Sequence, residues 1–357
     1  MAEGSSPPQD SGAVRIKTLE VHKIASVTSP LALPKRLAVA PLRRPVADGD
    51  VVVVRAEAEK RIYGDLELAS GRMAKIFRGD LIVGALGTRR ALKGYVGRRP
   101  VELGPGDKLA ILNLGGVLGV PELPDHPDLG PPCPVRVEGF VLDEKGRVAS
   151  VAHTGLPPRN EVPSVPLVVV SGTCMASGKT RTVCEIIHEV TERGKRINAG
   201  KLTGIACLRD LYAMSDHGAR RTLSFLDCGL VSTAGVERPE RAVRTILGHL
   251  ESDGPDLLVV ELGDGILGEY GVLEVLRELR EYLTFHVVCA TDPVGAWGAH
   301  KLLCGESIPV DLFSGPCTDS VVGIRFIEEN LGLPGVNACR DPGTLGTLVL
   351  KGVEEKR

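Results

Sequence analysis

Long apolar runs are absent from this 357-residue chain, and so are closely paired cysteines. No apolar stretch approaches the roughly 18 residues that a membrane-spanning helix needs, so we expect no transmembrane segment. The first residues lack the apolar stretch of a secretory signal, and we expect a disordered tail over residues 1–13. The nine cysteines include no Cys-x-x-Cys pair, which favours reduced thiols in a cytoplasmic protein.

Aromatic residues make up only 3% of the sequence, and its formal net charge is −2. Neither value favours nucleic acid or an anionic membrane as a partner, because such partners need stacking platforms or positive charge. The local exception is a basic hairpin, in which Arg89, Arg90, Lys93, Arg98 and Arg99 surround Gly-Tyr-Val-Gly. We interpret it as a solvated surface. The alternatives are a site for phosphate or an acidic substrate and, as a third function, a nucleic-acid-binding ATPase.

The length favours two domains, and the first half has the pattern of a β protein. Three Gly-Asp pairs, at residues 49–50, 79–80 and 106–107, each precede an apolar strand. This repeat predicts a smaller β-rich domain, a barrel or a sandwich, over residues 14–156. A short helix is expected within residues 61–74 and a strand pair over 135–141 and 148–152. A proline-rich linker is expected over residues 157–166, since proline stiffens the chain and blocks strand pairing.

Residues 167–357 alternate apolar strands with helical patterns. This alternation predicts an α/β domain, a P-loop NTPase fold with a parallel sheet and helices on both faces. We expect strands over residues 167–171, 196–201, 223–227, 256–262, 285–291, 310–314 and 336–338. We expect helices over residues 180–193, 240–250, 272–283, 294–303 and 320–331. Ligands of such sheets bind beyond the carboxyl ends of the strands.

A phosphate-binding loop is predicted between the first of these strands and the first helix. A β-branched run leads into a loop bounded by glycines, and Gly-Lys-Thr then opens a helix. Free N–H groups at the start of a helix attract an anion, and glycine lets the backbone come close to it. The expected nucleotide-binding residues are Gly172, Thr173, Cys174, Met175, Ala176, Ser177, Gly178, Lys179 and Thr180. Lys179 would reach the β- and γ-phosphates, and the Thr180 hydroxyl would bind Mg²⁺.

Charged side chains at two later strand ends complete the predicted site. Glu261 ends an apolar strand and suits the hard cation Mg²⁺. Lys201 ends the strand after the loop helix, where it could stabilise a transferring phosphoryl group or bind a carboxylate. Asp210, Asp216 and Asp227 are candidates for metal or ribose contacts. We prefer Asp216, because a nearby glycine indicates a bend beside a site.

Residues 165–340 resemble the dethiobiotin synthetase-like family of P-loop enzymes. That family has the loop Gly-Thr-x-x-x-x-Gly-Lys-Thr, which matches Gly172-Thr173 and Gly178-Lys179-Thr180. It also has a lysine like Lys201, a metal-binding aspartate like Asp216 and a strand-end glutamate like Glu261. Cys174 and Ala176 replace acidic residues of the true synthetase, so a different substrate is indicated. The resemblance implies ATP and Mg²⁺ as cofactors, γ-phosphate transfer to a carboxyl or carbamate group, and a homodimer.

Two functions follow as hypotheses. The first is an ATP-dependent, Mg²⁺-requiring ligase or carboxylate-activating enzyme, with Lys179 and Lys201 as catalytic residues and a small carboxylate or amine as substrate. Its metal ligands would be Thr180, Asp216 and Glu261. The alternative is a nucleotide-switched ATPase or GTPase adaptor for cofactor delivery or assembly.

Overall fold

The structure is a computed structural model that describes residues 15–160 and 163–356. The predicted tail over residues 1–13 lies outside these residues, as do residue 14 and positions 161 and 162 of the predicted linker. In the described part of the chain, no helix combines the length and the apolar character needed to cross a bilayer. All nine cysteines are free thiols.

A closed ring of five strands forms the core of the first half. Strand β14 pairs with β5, β5 with β8, β8 with β13, β13 with β12, and β12 again with β14. The ring is a barrel, and all its pairings are antiparallel except that of β8 with β13. The strands of this half are β1 Lys17–Glu20, β2 Lys23–Ile24, β3 Arg36–Ala40, β4 Arg44–Pro45, β5 Val51–Ala56, β6 Asp65–Glu67, β7 Met73–Lys75, β8 Leu81–Leu86, β9 Arg89–Arg90, β10 Val96–Arg98, β11 Glu102–Leu103, β12 Lys108–Ile111, β13 Val117–Pro121 and β14 Cys133–Val141.

The three Gly-Asp pairs form the same turn before β5, β8 and β12. Each glycine has a positive φ, between 86° and 91°, which side chains with a Cβ rarely adopt. Each aspartate accepts a hydrogen bond from the backbone N–H three residues earlier, at 3.1, 2.7 and 2.9 Å. The repeated sequence signal therefore starts three of the five barrel strands.

The second half is a parallel sheet of six strands in the order β17-β16-β18-β15-β19-β20. The strands are β15 Leu167–Gly172, β16 Ile197–Thr203, β17 Arg221–Ser224, β18 Leu257–Leu262, β19 Leu283–Cys289 and β20 Leu312–Ser314. The helices are α1 Lys179–Glu192, α2 Arg209–Asp216, α3 Pro239–Glu251, α4 Val272–Leu279, α5 Pro293–Gly305, α6 Val321–Leu331 and α7 Pro342–Glu355. A barrel is thus followed by a P-loop-like α/β sheet.

Alternate residues of the central strand β15 face two apolar cores. Val168 and Val170 pack with buried residues of α1, α2 and α7. Leu167 and Val169 belong to a larger cluster that includes α3 to α6 and also the interior of the barrel. The two halves of the molecule therefore share buried apolar surface.

Several expected elements differ from the structure. Residues 61–74 hold no helix; they contain β6 and the start of β7, which form a hairpin. The expected strand over 223–227 ends early, because the capping box of Ser224 starts a 3₁₀ turn, Phe225–Cys228. Residues 336–338 form no strand, since pairing with β20 is limited to one bridge between Phe313 and Gly335. In the expected strand over 148–152, only Val148 and Ser150 form isolated bridges, and a 3₁₀ turn, Val151–His153, follows. Helices α2 and α7 were not expected.

Candidate functional site

The loop between β15 and α1 depends on its two bounding glycines. A Cβ on Gly172 would lie 2.5 Å from Ser177 Oγ and 2.7 Å from the Cys289 carbonyl oxygen, so no larger residue fits. Gly178, with φ 93°, precedes the first residue of α1. The first N–H groups of that helix have no acceptor within it, and they open onto the loop. The loop thus ends at a helix start with free N–H groups, which is the feature that a phosphate-binding loop requires.

Lys179 is folded back over this loop. Its side chain is 6% exposed, and Nζ donates hydrogen bonds to the Cys174 carbonyl oxygen at 2.8 Å and to Ser177 Oγ at 3.5 Å. No carboxylate forms an ion pair with Lys179 in the described residues. Its ammonium group is therefore held in place by two neutral acceptors of the loop.

Lys201 and Glu261, on adjacent strands, form a largely buried charged cluster with Asp210 of α2. Lys201 Nζ makes an ion pair with Asp210 Oδ2, and Lys201 and Glu261 are register partners on β16 and β18. Burial alone would lower the pKa of Lys201, but the carboxylates of Asp210 and Glu261 outweigh it and raise that pKa. Burial would raise the pKa of Asp210, yet Lys201 holds it below its ordinary value. The pair is therefore an ammonium and a carboxylate.

Glu261 has the features of a cation ligand. Burial raises its pKa, the charge of Asp210 adds to this, and Lys201, Lys179 and a hydrogen bond from Thr180 oppose it. Its Oε2 is buried and accepts no hydrogen bond from any residue that the structure describes. Within residues 15–160 and 163–356, no group of three His, Cys, Asp or Glu side chains forms a ready metal site. Thr180 and Glu261 are nevertheless residues that would hold a Mg²⁺ ion, because Mg²⁺ takes one or two protein carboxylates and completes its shell from phosphate and water.

Asp216 does not join this cluster. It is exposed at the last residue of α2, whereas Asp210 lies one residue into the same helix and faces Lys201. Asp227 instead accepts from the Ser224 N–H in the capping box. Of the three candidates, the structure therefore places Asp210, and not the preferred Asp216, beside Lys201. The helical spacing of Leu211 and Met214, which are buried on one face, was the signal that could have identified α2 and its inward-facing start.

One cavity of about 430 Å³ gathers the predicted groups. Its lining includes Met175, Ala176, Gly178, Lys179 and Thr180 of the loop, together with Lys201, Asp210 and Glu261. Gly172, Thr173, Cys174 and Ser177 lie outside that lining, and Ser177 is fully buried behind it. The three groups on which the predicted site depends, Lys179, Lys201 and Glu261, thus face the same space.

The barrel supplies the opposite wall through Tyr63, Arg89, Ala91, Asn113 and Leu114. The two walls are bonded directly to each other. Asn113 Nδ2 donates to the Ala206 carbonyl oxygen at 2.7 Å, the Leu92 N–H donates to Asp264 Oδ2 at 2.9 Å, and the Arg90 N–H donates to Tyr270 Oη at 3.0 Å. The cavity therefore lies between the two halves of the chain.

The basic hairpin is formed by β9 and β10, but it is not a uniformly solvated surface. Arg89 is only 3% exposed, because its strand turns inward over the cavity. Arg90 stays at the surface and pairs with Glu122 at 2.5 Å. The interpretation of the whole hairpin as solvent-facing is therefore wrong for Arg89.

Glu67 of β6, also in the first half of the chain, fixes the helix that carries Asp210. Its side chain is fully buried, and its two carboxylate oxygens accept from the Leu208 and Arg209 N–H groups, each at 2.7 Å. These are N–H groups at the start of α2, which a carboxylate caps favourably. The first half of the chain thus positions Asp210, and through it Lys201.

No protein-family model matches this chain, and no curated protein matches it. Similar solved structures include the signal recognition particle receptor FtsY from Elizabethkingia anophelis in complex with GDP, with 11% identity, a TM-score of 0.38, and coverage of 58% of this chain and 68% of that chain. The cell division protein FtsY from Thermotoga maritima has 14% identity, a TM-score of 0.37, and coverage of 56% and 74%. A DUF1611 family protein from Anabaena variabilis has 18% identity, a TM-score of 0.41, and coverage of 60% and 66%.

These TM-scores lie below 0.5, so the likenesses support no substrate and no reaction for this chain. The comparisons do not support membership of the dethiobiotin synthetase-like family. The assignment of a P-loop-like site rests on the loop, the lysine and the strand-end carboxylate described above.

Proposed function

We propose that this chain is a Mg²⁺-dependent nucleoside triphosphatase whose nucleotide binds between the barrel and the α/β sheet. The observation that carries the proposal is a single cavity in which Lys179 and the first amides of α1 face Glu261, whose Oε2 has no partner. A triphosphate with its magnesium ion would supply an anion for Lys179 and a cation for Glu261.

Each group then has one task. Lys179 and the loop amides would bind the β- and γ-phosphates. Thr180 and Glu261 would hold a magnesium ion, which would neutralise phosphate charge. Lys201 stabilises the negative charge that develops on the transferring phosphoryl group, and the ion pair with Asp210 orients it. Glu67 acts through α2 and is a positioning residue.

Of the two functions that the sequence favours, the geometry supports the nucleotide switch better. Barrel and sheet form opposite walls of the cavity, so a bound triphosphate would contact both and its hydrolysis would change how they are joined. The second candidate is phosphoryl transfer to a small carboxylate, which the buried cation Arg89 on the barrel wall favours. Nine free thiols support a reducing compartment such as the cytoplasm for either function.

The test is Lys179→Ala, compared with Lys351→Ala on the exposed face of α7. Calorimetric titration with ATP·Mg²⁺ and GTP·Mg²⁺ should show at least a tenfold loss of affinity for the preferred nucleotide in the first variant and none in the second, because one charge-assisted contact is worth roughly 1.5–3 kcal/mol. Hydrolysis should fall in parallel. Unchanged affinity and turnover in Lys179→Ala would remove the proposal.

Hydrogen exchange and turnover measured on the same purified protein distinguish the switch from the phosphoryl-transfer enzyme. A switch predicts that barrel amides near Asn113 exchange hydrogen more slowly with a non-hydrolysable triphosphate than with the diphosphate. A phosphoryl-transfer enzyme predicts equal exchange in both forms and turnover that rises when a carboxylic acid is added.

A further inference from the structure

Arg89 is a buried cation held by neutral groups. Its Nη1 donates to the Leu112 carbonyl oxygen and to Tyr63 Oη, the latter at 3.3 Å, and its guanidinium lies 5.8 Å from the centre of the Tyr63 ring. These contacts fix the orientation of the planar group. They supply only partial negative charge.

No carboxylate pairs with Arg89 in the described residues, 15–160 and 163–356. Other arginines of the hairpin do have such partners: Arg90 pairs with Glu122, and Arg99 with Asp48 at 3.5 Å. Asp264, an acid that lines the cavity from the α/β half, accepts from the Leu92 N–H through Oδ2, and its buried Oδ1 accepts no hydrogen bond within the described residues. A buried charge without a counter-ion is costly, so a position that retains one indicates an anion from outside the chain.

The unused edge of the guanidinium has the geometry for such an anion. Nε is buried without a hydrogen-bond partner, and Nη2 likewise donates to no acceptor in the described residues. These two nitrogens lie along one edge of the fork, which is the edge that grips an oxyanion with two parallel hydrogen bonds. Nη2 also lies near the side chain of a loop residue, since a Cβ on Gly94 would be 2.8 Å from Nη2 and 3.4 Å from Met175 Cε.

We propose that Arg89 forms an oxyanion subsite on the barrel wall, opposite Lys179, that takes a phosphate or carboxylate group. Its ligand is either the terminal phosphate of the nucleotide or the acidic group of a second substrate. The subsite adds a ligand contact to the proposed function, and it rests on that function if the ligand is the terminal phosphate of the nucleotide. In both cases the barrel contributes directly to ligand binding.

The test compares Arg89→Gln and Arg89→Lys with Arg90→Gln in the full-length protein. Arg90 belongs to the same strand, loses the same charge in its variant and does not line the cavity. Calorimetry measures a non-hydrolysable ATP analogue and ADP, each with Mg²⁺, and then inorganic phosphate and succinate added to the ADP·Mg²⁺ complex. Lysine keeps the charge but loses the fork, so Arg89→Lys should fall between wild type and Arg89→Gln.

Two results support the proposal. If Arg89→Gln binds the triphosphate analogue at least tenfold more weakly while ADP affinity changes less than twofold, the terminal phosphate is the ligand. If both nucleotide affinities are unchanged but phosphate or succinate no longer binds the ADP complex, the ligand is a second substrate. If every titration of Arg89→Gln matches that of Arg90→Gln, the subsite is overturned. This holds even if the weaker binding of Lys179→Ala supports a nucleotide site at the loop.

Two further measurements keep the outcomes distinct. If the wild type binds no nucleotide, phosphate is titrated onto the free protein: binding that depends on Arg89 still supports the subsite, and its absence overturns it. Melting temperatures are compared without ligand. Removal of an uncompensated charge should leave the melting temperature of Arg89→Gln at or above that of Arg90→Gln. The proposal is overturned if the melting temperature falls clearly in both Arg89→Gln and Arg89→Lys and phosphate does not stabilise the wild type. The charge of Arg89 would then serve the stability of the fold.

Discussion

At the scale of single residues, His286 shows how burial fixes a protonation state. It is fully buried in β19, and burial lowers its pKa to about 4. Its Nδ1 contacts the Pro309 carbonyl oxygen at 2.7 Å, and its Nε2 contacts Ser171 Oγ at 2.8 Å. A carbonyl oxygen only accepts, so Nδ1 carries the proton and Nε2 accepts from Ser171, at the end of the strand that leads into the loop.

This histidine predicts a loss of stability in mild acid. Its pKa in the folded protein lies below the ordinary value of 6.5, so the unfolded chain binds the proton first. The stabilisation is complete above pH 6.5 and is lost as the pH falls toward 4. Between pH 7.5 and pH 5, wild type should lose about 2 kcal/mol more unfolding free energy than His286→Gln, measured in urea. The exposed His153→Gln should behave like wild type, and an equal pH dependence in His286→Gln would contradict the prediction.

At the scale of elements, α2 depends on a cap from the other half of the chain. Glu67→Gln leaves one buried carbonyl oxygen in place of two charged acceptors. We expect a loss of about 1–3 kcal/mol in unfolding free energy and faster hydrogen exchange at the start of α2. Glu102→Gln is the control, because Glu102 is half-exposed and lies 3.5 Å from Arg43, so the loss there should be below about 1 kcal/mol. Similar losses in both variants would show that the cap does not hold the helix.

The elements also show what the sequence could predict. The β15–loop–α1 unit is local, so glycine spacing and apolar runs were enough to find it. Helix α2 was missed because its cap, Glu67, lies more than a hundred residues away in the sequence. The residues just before Arg209 therefore carry no capping signal. Arg89 was read as a surface residue for the same kind of reason: its burial depends on the α/β half that covers the hairpin.

At the scale of the whole molecule, barrel and sheet share one apolar cluster, and three hydrogen bonds join the walls of the cavity. We therefore expect one cooperative unfolding transition without ligand, with equal calorimetric and van't Hoff enthalpies in scanning calorimetry. Asn113→Leu, which removes the bond to Ala206, should lower the temperature of that single transition. Two resolved peaks in wild type would mean that the halves unfold independently.

Gly115 lies in the barrel turn where it meets the Ala206 carbonyl oxygen, and a Cβ there would overlap that oxygen. A methyl group at this point would push the barrel away from the sheet, and no charged side chain of the cavity would be changed. Gly115→Ala would therefore show whether the loop can act when the two halves of the molecule no longer close around it.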